Sequence, residues 1–120
     1  MSPQRVLLRD DTLYVLELGT EASGYTDGAL ASAGIDGGSP VRLLTGLAAP
    51  HALAGDGDAV YIGTSGTSQD GFQGSVLRRA DNGELGTLAV NQGQVAEVAV
   101  DEIGVCWTAD TQGALRCLAR

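Results

Sequence analysis

Lysine is absent from this sequence: all seven basic residues are arginines, set against fifteen acids, for a formal net charge of −8. A surface of that sign repels a polyanion, so nucleic acid is excluded as a natural partner. Aromatic residues are scarce at 4%, and any core must therefore be aliphatic; the 43% hydrophobic content is enough to build one. No apolar run approaches the ~18 residues that a membrane-spanning helix needs, so no membrane partner is expected. Arg9-Asp10-Asp11 interrupts the first apolar stretch before it could serve as a secretory core, so neither a signal peptide nor a transmembrane segment is read in this chain. The compartment stays open, an extracytoplasmic parent included. One histidine and two cysteines cannot supply zinc-ligand spacing. No Gly-x-Ser-x-Gly elbow and no phosphate loop occurs, and no cofactor is implied.

Glycine, by contrast, is abundant: 18 residues in a chain of 120. Inside a helix each would cost about 1 kcal/mol relative to alanine, which points to an all-β domain rich in turns. The length suits one small domain.

The turns recur. Asp11-Thr12-Leu13-Tyr14-Val15-Leu16, Asp58-Ala59-Val60-Tyr61-Ile62-Gly63 and Glu102-Ile103-Gly104-Val105-Cys106-Trp107-Thr108 align on Tyr14, Tyr61 and Cys106, at intervals of 47 and 45 residues. Asp36-Gly37-Gly38 and Asp81-Asn82-Gly83, both tight hairpin turns, begin 45 residues apart. Gly28-Ala29-Leu30, Gly74-Ser75-Val76 and Gly113-Ala114-Leu115 open a strand in each unit; the last interval is 39 because the preceding loop is shorter. Landmarks that agree on one spacing make a tandem repeat.

Each unit resolves into short strands a to d. Strand a covers Arg5–Arg9, His51–Ala54 and Val95–Val100. Strand b carries the aligned Tyr or Cys, and strand c follows the glycine. Strand d covers Ser39–Leu44 and Leu85–Val90. Four strands in roughly 45 residues is the arithmetic of one β-propeller blade. An armadillo-type helical repeat has a similar period, but glycine turns and short β-branched runs reject it. Blade one is read over residues 5–45, blade two over 51–91, and an incomplete blade three over 95–120. Blade three lacks strand d, so the fold class is a partial β-propeller of nearly three blades.

The segment Leu47-Ala48-Ala49-Pro50-His51-Ala52-Leu53-Ala54 through Val60-Tyr61-Ile62 resembles an NHL-type propeller repeat. Val105-Cys106-Trp107-Thr108-Ala109-Asp110 is similar to a Tyr-Trp-Thr-Asp repeat, with Cys106 in the tyrosine place and Ala109 inserted before the aspartate. Together these likenesses cover nearly the whole chain, and they specify a fold far better than an activity. They imply a ring of more blades than this chain supplies. Two copies would make about six, so the expected partner is the chain itself, as a homodimer or other ring-closing oligomer, or else the rest of a parent propeller. Trp107 is expected to pack between neighbouring blades, and Val6-Leu7-Leu8 and the apolar face around Trp107 and Leu115 are the surfaces expected to seek cover. A partner strand is also expected to add at the open edge of blade three.

In such a ring the d–a and b–c loops share a ligand face. Here they carry His51, Glu21, Tyr25, Asp27, Asp70 and Phe72, which makes these the candidate contacts for an unknown small molecule or protein. A lone histidine among loop acids is more often structural than catalytic, and no metal site is read from it. No Asp-x-Asp-x-Asp-Gly order favours calcium, and Gly55-Asp56-Gly57-Asp58 reads as a turn. The function expected is therefore a non-catalytic binding or scaffold module. The alternative is a propeller lyase or lactone hydrolase, with part of a metal or general-base site at His51.

Cys106 and Cys117 face each other if the hairpin turns near Thr111-Gln112, where paired residue numbers sum to 223. Opposed Cβ atoms lie about 4.5–5.5 Å apart. A disulfide and two buried free thiols are both compatible with this placement.

Overall fold

The computed structural model describes residues 3–109 and 113–119, with the backbone alone at Asp70 and Ala114. Eleven strands occur in chain order: β1 (Pro3–Arg9), β2 (Thr12–Glu17), β3 (Gly28–Gly34), β4 (Val41–Leu47), β5 (Pro50–Gly55), β6 (Ala59–Thr64), β7 (Val76–Ala80), β8 (Leu85–Ala89), β9 (Val95–Val100), β10 (Gly104–Ala109) and β11 (Ala114–Ala119). They form three antiparallel sheets with the orders β1-β2-β3-β4, β5-β6-β7-β8 and β9-β10-β11. Single 3-10 turns at Glu21–Ser23 and Ser68–Asp70 are the only helical elements among the described residues. No helix is long and apolar enough to cross a membrane. The expected hairpin glycines do close the c–d connections: Gly37 N–H donates to Gly34 and Gly83 N–H to Ala80.

The sheets stand side by side in a body of 40 × 39 × 20 Å. Their first strands, β1, β5 and β9, converge, and Arg5 on β1 reaches Glu97 on β9 at 2.8 Å. Period-2 alternation then gives each sheet two faces. Tyr14, Leu16 and Leu30 of blade one pack on Val60 and Ile62 of blade two. From the other face of blade two, Ala52, Tyr61 and Val76 pack on Val95, Val98, Val105 and Trp107 of blade three. Glycine permits that second approach at Gly63, where a Cβ would meet Val95 and Ala52. Tyr61 carries its hydroxyl into this seam by donating to Asp56 at 2.9 Å, while Asp56 also accepts from Asp58 and Ala59 N–H. The Gly55–Asp58 stretch is thus a turn whose acid is consumed by structure.

Trp107 packs between neighbouring blades, as expected, and it is Leu115 that departs from its expected setting. Trp107 is 4% exposed, against blade two, and its indole Nε1–H donates to Gln92 at 3.1 Å. Leu115, expected beside it, is 71% exposed. The reason is register: Trp107 pairs with Arg116 and Thr108 with Leu115, so Trp107 and Leu115 point to opposite faces. The outward face of blade three is instead built on Cys106, Cys117 and Leu115, and the outward face of blade one on Val6 and Leu8, both exposed. Cys106 and Cys117 are joined by a disulfide within this last hairpin. The Thr111-Gln112 turn lies outside the described residues.

Candidate functional site

The b–c loops of blades one and two are built alike. Thr20-Glu21-Ala22-Ser23-Gly24-Tyr25 and Thr67-Ser68-Gln69-Asp70-Gly71-Phe72 share a Thr-x-x-x-Gly-aromatic pattern, 47 residues apart. Each runs through a single 3-10 turn into a left-handed glycine, Gly24 (φ 70°) or Gly71 (φ 75°). The aromatic residue that follows is left-handed too, Tyr25 at 62° and Phe72 at 59°. In each loop the aromatic N–H donates back to the threonine carbonyl, at 2.9 Å for Tyr25 and 2.8 Å for Phe72. Left-handed backbone is uncommon for a bulky side chain, and such outliers persist where surrounding structure fixes them. Here the backbone bonds fix them.

The d–a connection ties the two loops together. Ala49, itself left-handed at φ 53°, donates its N–H to Tyr25 and accepts from Ser65. These loops consequently lie on one face and enclose a cavity of about 370 Å³, walled by Leu18, Glu21, Tyr25, Ala49, His51 and Phe72, with Ser65, Thr67 and Gln94 at its inner side. Glu21 is exposed, Tyr25 and His51 are half-buried, and Phe72 is 42% exposed. Four of the six residues singled out from the sequence therefore meet in one cavity. The loop repeat that brings Tyr25 and Phe72 together is legible in the sequence at the same 47-residue interval that separates Tyr14 from Tyr61.

His51 occupies the wall between this cavity and a neighbouring one of about 320 Å³ lined by Arg5, Gln94 and Glu97. Its Nδ1 lies 3.3 Å from the Gln4 side-chain amide, and Arg5 Nε donates to its carbonyl at 2.9 Å. Arg5 is in turn engaged by Glu97. The imidazole is thus positioned by blade one although it belongs to blade two.

Asp27 is elsewhere. It lines a separate cavity of about 280 Å³ with Glu17, Thr20, Arg42 and Thr45. Its carboxylate accepts from Ser23 Oγ, Thr20 N–H and Thr20 Oγ1, and these bonds hold its pKa near 2, below the ordinary 3.8. Asp27 is therefore the residue that shapes the Thr20–Tyr25 loop rather than a wall of the His51 cavity. Glu17 closes β2 with its side chain buried, 3.3 Å from Arg42 Nε. The side chain of Asp70 lies outside what the structure describes. No group of three or more His, Cys, Asp or Glu side chains is placed to hold a metal ion among the described residues.

This geometry matches a known architecture. A chain in the crystal structure of a nidogen/laminin complex superposes with a TM-score of 0.74 at 15% identity, over 98% of this chain and 43% of that one. The fold is that of a partial β-propeller. The chain spans less than half the length of the chain it matches. No protein-family model matches the sequence, and no curated protein matches it.

Proposed function

We propose that this chain is a non-catalytic binding and scaffold module: a three-blade propeller sector, of NHL type with a Tyr-Trp-Thr-Asp-like third unit, that gains partners at its open ends. The observation that carries this reading is the pair of unlike outward faces. Blade one turns Val6 and Leu8 outward, 62% and 57% exposed, and blade three turns Leu115 outward beside a hollow of about 480 Å³ over the disulfide. Within the chain, the same two kinds of face pack on each other at both seams. A second copy placed head to tail would repeat that packing and give a ring of about six blades; the rest of a parent propeller would do the same in cis. Burial contributes about 25 cal/mol per Å², so covering a few hundred Å² is large beside a marginal folding free energy. A strand added along β11, whose outer edge is unpaired among the described residues, would complete blade three.

The ligand mouth in this reading is the face that carries Glu21, Tyr25, His51 and Phe72, with Asp27 supporting it. The neighbouring fold comes from a complex of proteins, which supports a protein among the partners of this module in general. Light scattering across a dilution series tests the assembly. A dimer that dissociates when Val6 and Leu8 are replaced by glutamate supports it; a folded micromolar monomer that binds no hydrophobic dye refutes it. A lyase or lactone hydrolase would draw on His51, which borders two adjoining cavities. Divalent-metal titration followed by melting separates the readings: a raised melting temperature favours the enzyme, and no shift favours the plain module.

A further inference from the structure

The mouth has a chemical preference of its own. Its walls are aromatic and aliphatic at Leu18, Tyr25, Ala49 and Phe72, while among the described residues that line it Glu21 is the one carboxylate and none is an arginine. The surrounding chain carries a net charge of −8 and no lysine. Two aromatic rings presented by duplicated loops, with a carboxylate in the same cavity lining and His51 as the one basic side chain beside them among the described residues, form a setting in which a cation is attracted by ring quadrupoles and by charge together. Anions are disfavoured by the same field. A neutral flat ring could stack on the aromatics but would leave the carboxylate unused.

We propose that the Tyr25–Phe72 mouth binds an alkylated ammonium group, either on a small molecule or at the end of a methylated lysine side chain. The rings take its methyl surface, Glu21 supplies the counter-charge, and the half-buried His51 and Gln94 bound the pocket behind it. The strained left-handed backbone at Tyr25 and Phe72 has a use in this arrangement, since both residues contribute to the wall of the same cavity. The proposal rests on the mouth being the ligand face.

The test is an NMR titration of the full chain, reading the ring resonances of Tyr25 and Phe72. Choline is compared with 3,3-dimethylbutan-1-ol, its neutral isostere, and a trimethyl-lysine peptide with its unmodified glutamine counterpart. Choline or the peptide should bind roughly 3- to 30-fold more tightly than its neutral counterpart, and which of the two binds better identifies the source. Tyr25→Leu, Phe72→Leu and Glu21→Gln should each weaken the cation and spare the neutral isostere, with circular dichroism unchanged. Equal binding of cation and isostere overturns the ammonium proposal but keeps the mouth. If neither moves these resonances, the proposal and the mouth fall together, while the assembly reading, tested by light scattering, is unaffected.

Discussion

Truncating Trp107 to alanine should be the most costly single change in the seam between blades two and three. The side chain is 4% exposed and lies against Tyr61, Val95, Val98 and Val105. A buried aromatic removes about 150–250 Å² from water, worth about 4–6 kcal/mol at 25 cal/mol per Å². Leaving out the β-carbon that alanine keeps brings this near 4 kcal/mol, within the ~3–5 kcal/mol found for such truncations. The lost bond to Gln92 adds at most about 1 kcal/mol, because Gln92 is half-buried and water can replace the donor. Leu115 sits on the same hairpin at 71% exposure, and Leu115→Ala should cost no more than about 0.5 kcal/mol in the monomer. Urea unfolding followed by far-ultraviolet circular dichroism measures both. If Trp107→Ala abolishes folding, Trp107→Phe keeps most of the area and gives a measurable, smaller loss. A Trp107→Ala cost below about 1 kcal/mol, or a Leu115→Ala cost equal to it, would refute the face assignment.

The carboxyl of Asp27 should titrate near pH 2 by NMR. Because its folded value lies below the unfolded 3.8, the stability it contributes is complete above about pH 4 and is lost as pH falls toward 2; Asp27→Asn should flatten that window. The disulfide closes a loop between positions 106 and 117, so reduction should lower stability by roughly 2–3 kcal/mol, and a thiol reagent should detect two sulfhydryls only afterwards. Two thiols in the untreated, oxygen-exposed protein would contradict the bridge.

Strand placement was legible because this sequence writes its turns in glycine and its strands in alternation. Eleven expected strands meet eleven observed ones, with ends displaced by a few residues, as where Val41 rather than Ser39 opens β4. The misplacement of Leu115 beside Trp107 came from treating a hairpin as one apolar patch. The pairing of residue numbers that sum to 223 already placed Trp107 opposite Arg116, and alternation alone then sends Leu115 to the other side. The candidate site was harder to read. The loops repeat at 47 residues, but that period does not fix their conformation, so Glu21, Tyr25, Asp27, His51 and Phe72 could be assigned to one end of the sheets but not divided between cavities. Asp27 left the group because three local donors claim its oxygens, and that depends on a loop conformation which composition does not encode.

Blade two is the one sheet with a packed cluster on each face, and β6 is buried along its entire length. Coupling between the outer blades passes through it, since the direct tie between them, Arg5 to Glu97, is an exposed ion pair of little strength. Local opening is therefore expected to be easier in the outer blades than in blade two, beneath a global unfolding that remains cooperative. Amide protection against hydrogen exchange is then greatest in β6 and declines toward both ends, with β11 opening early. The mouth takes its aromatic jaws from blades one and two. If the mouth is occupied as proposed, its ligand bears chiefly on the junction between blades one and two, with Gln94 as its contact beside β9.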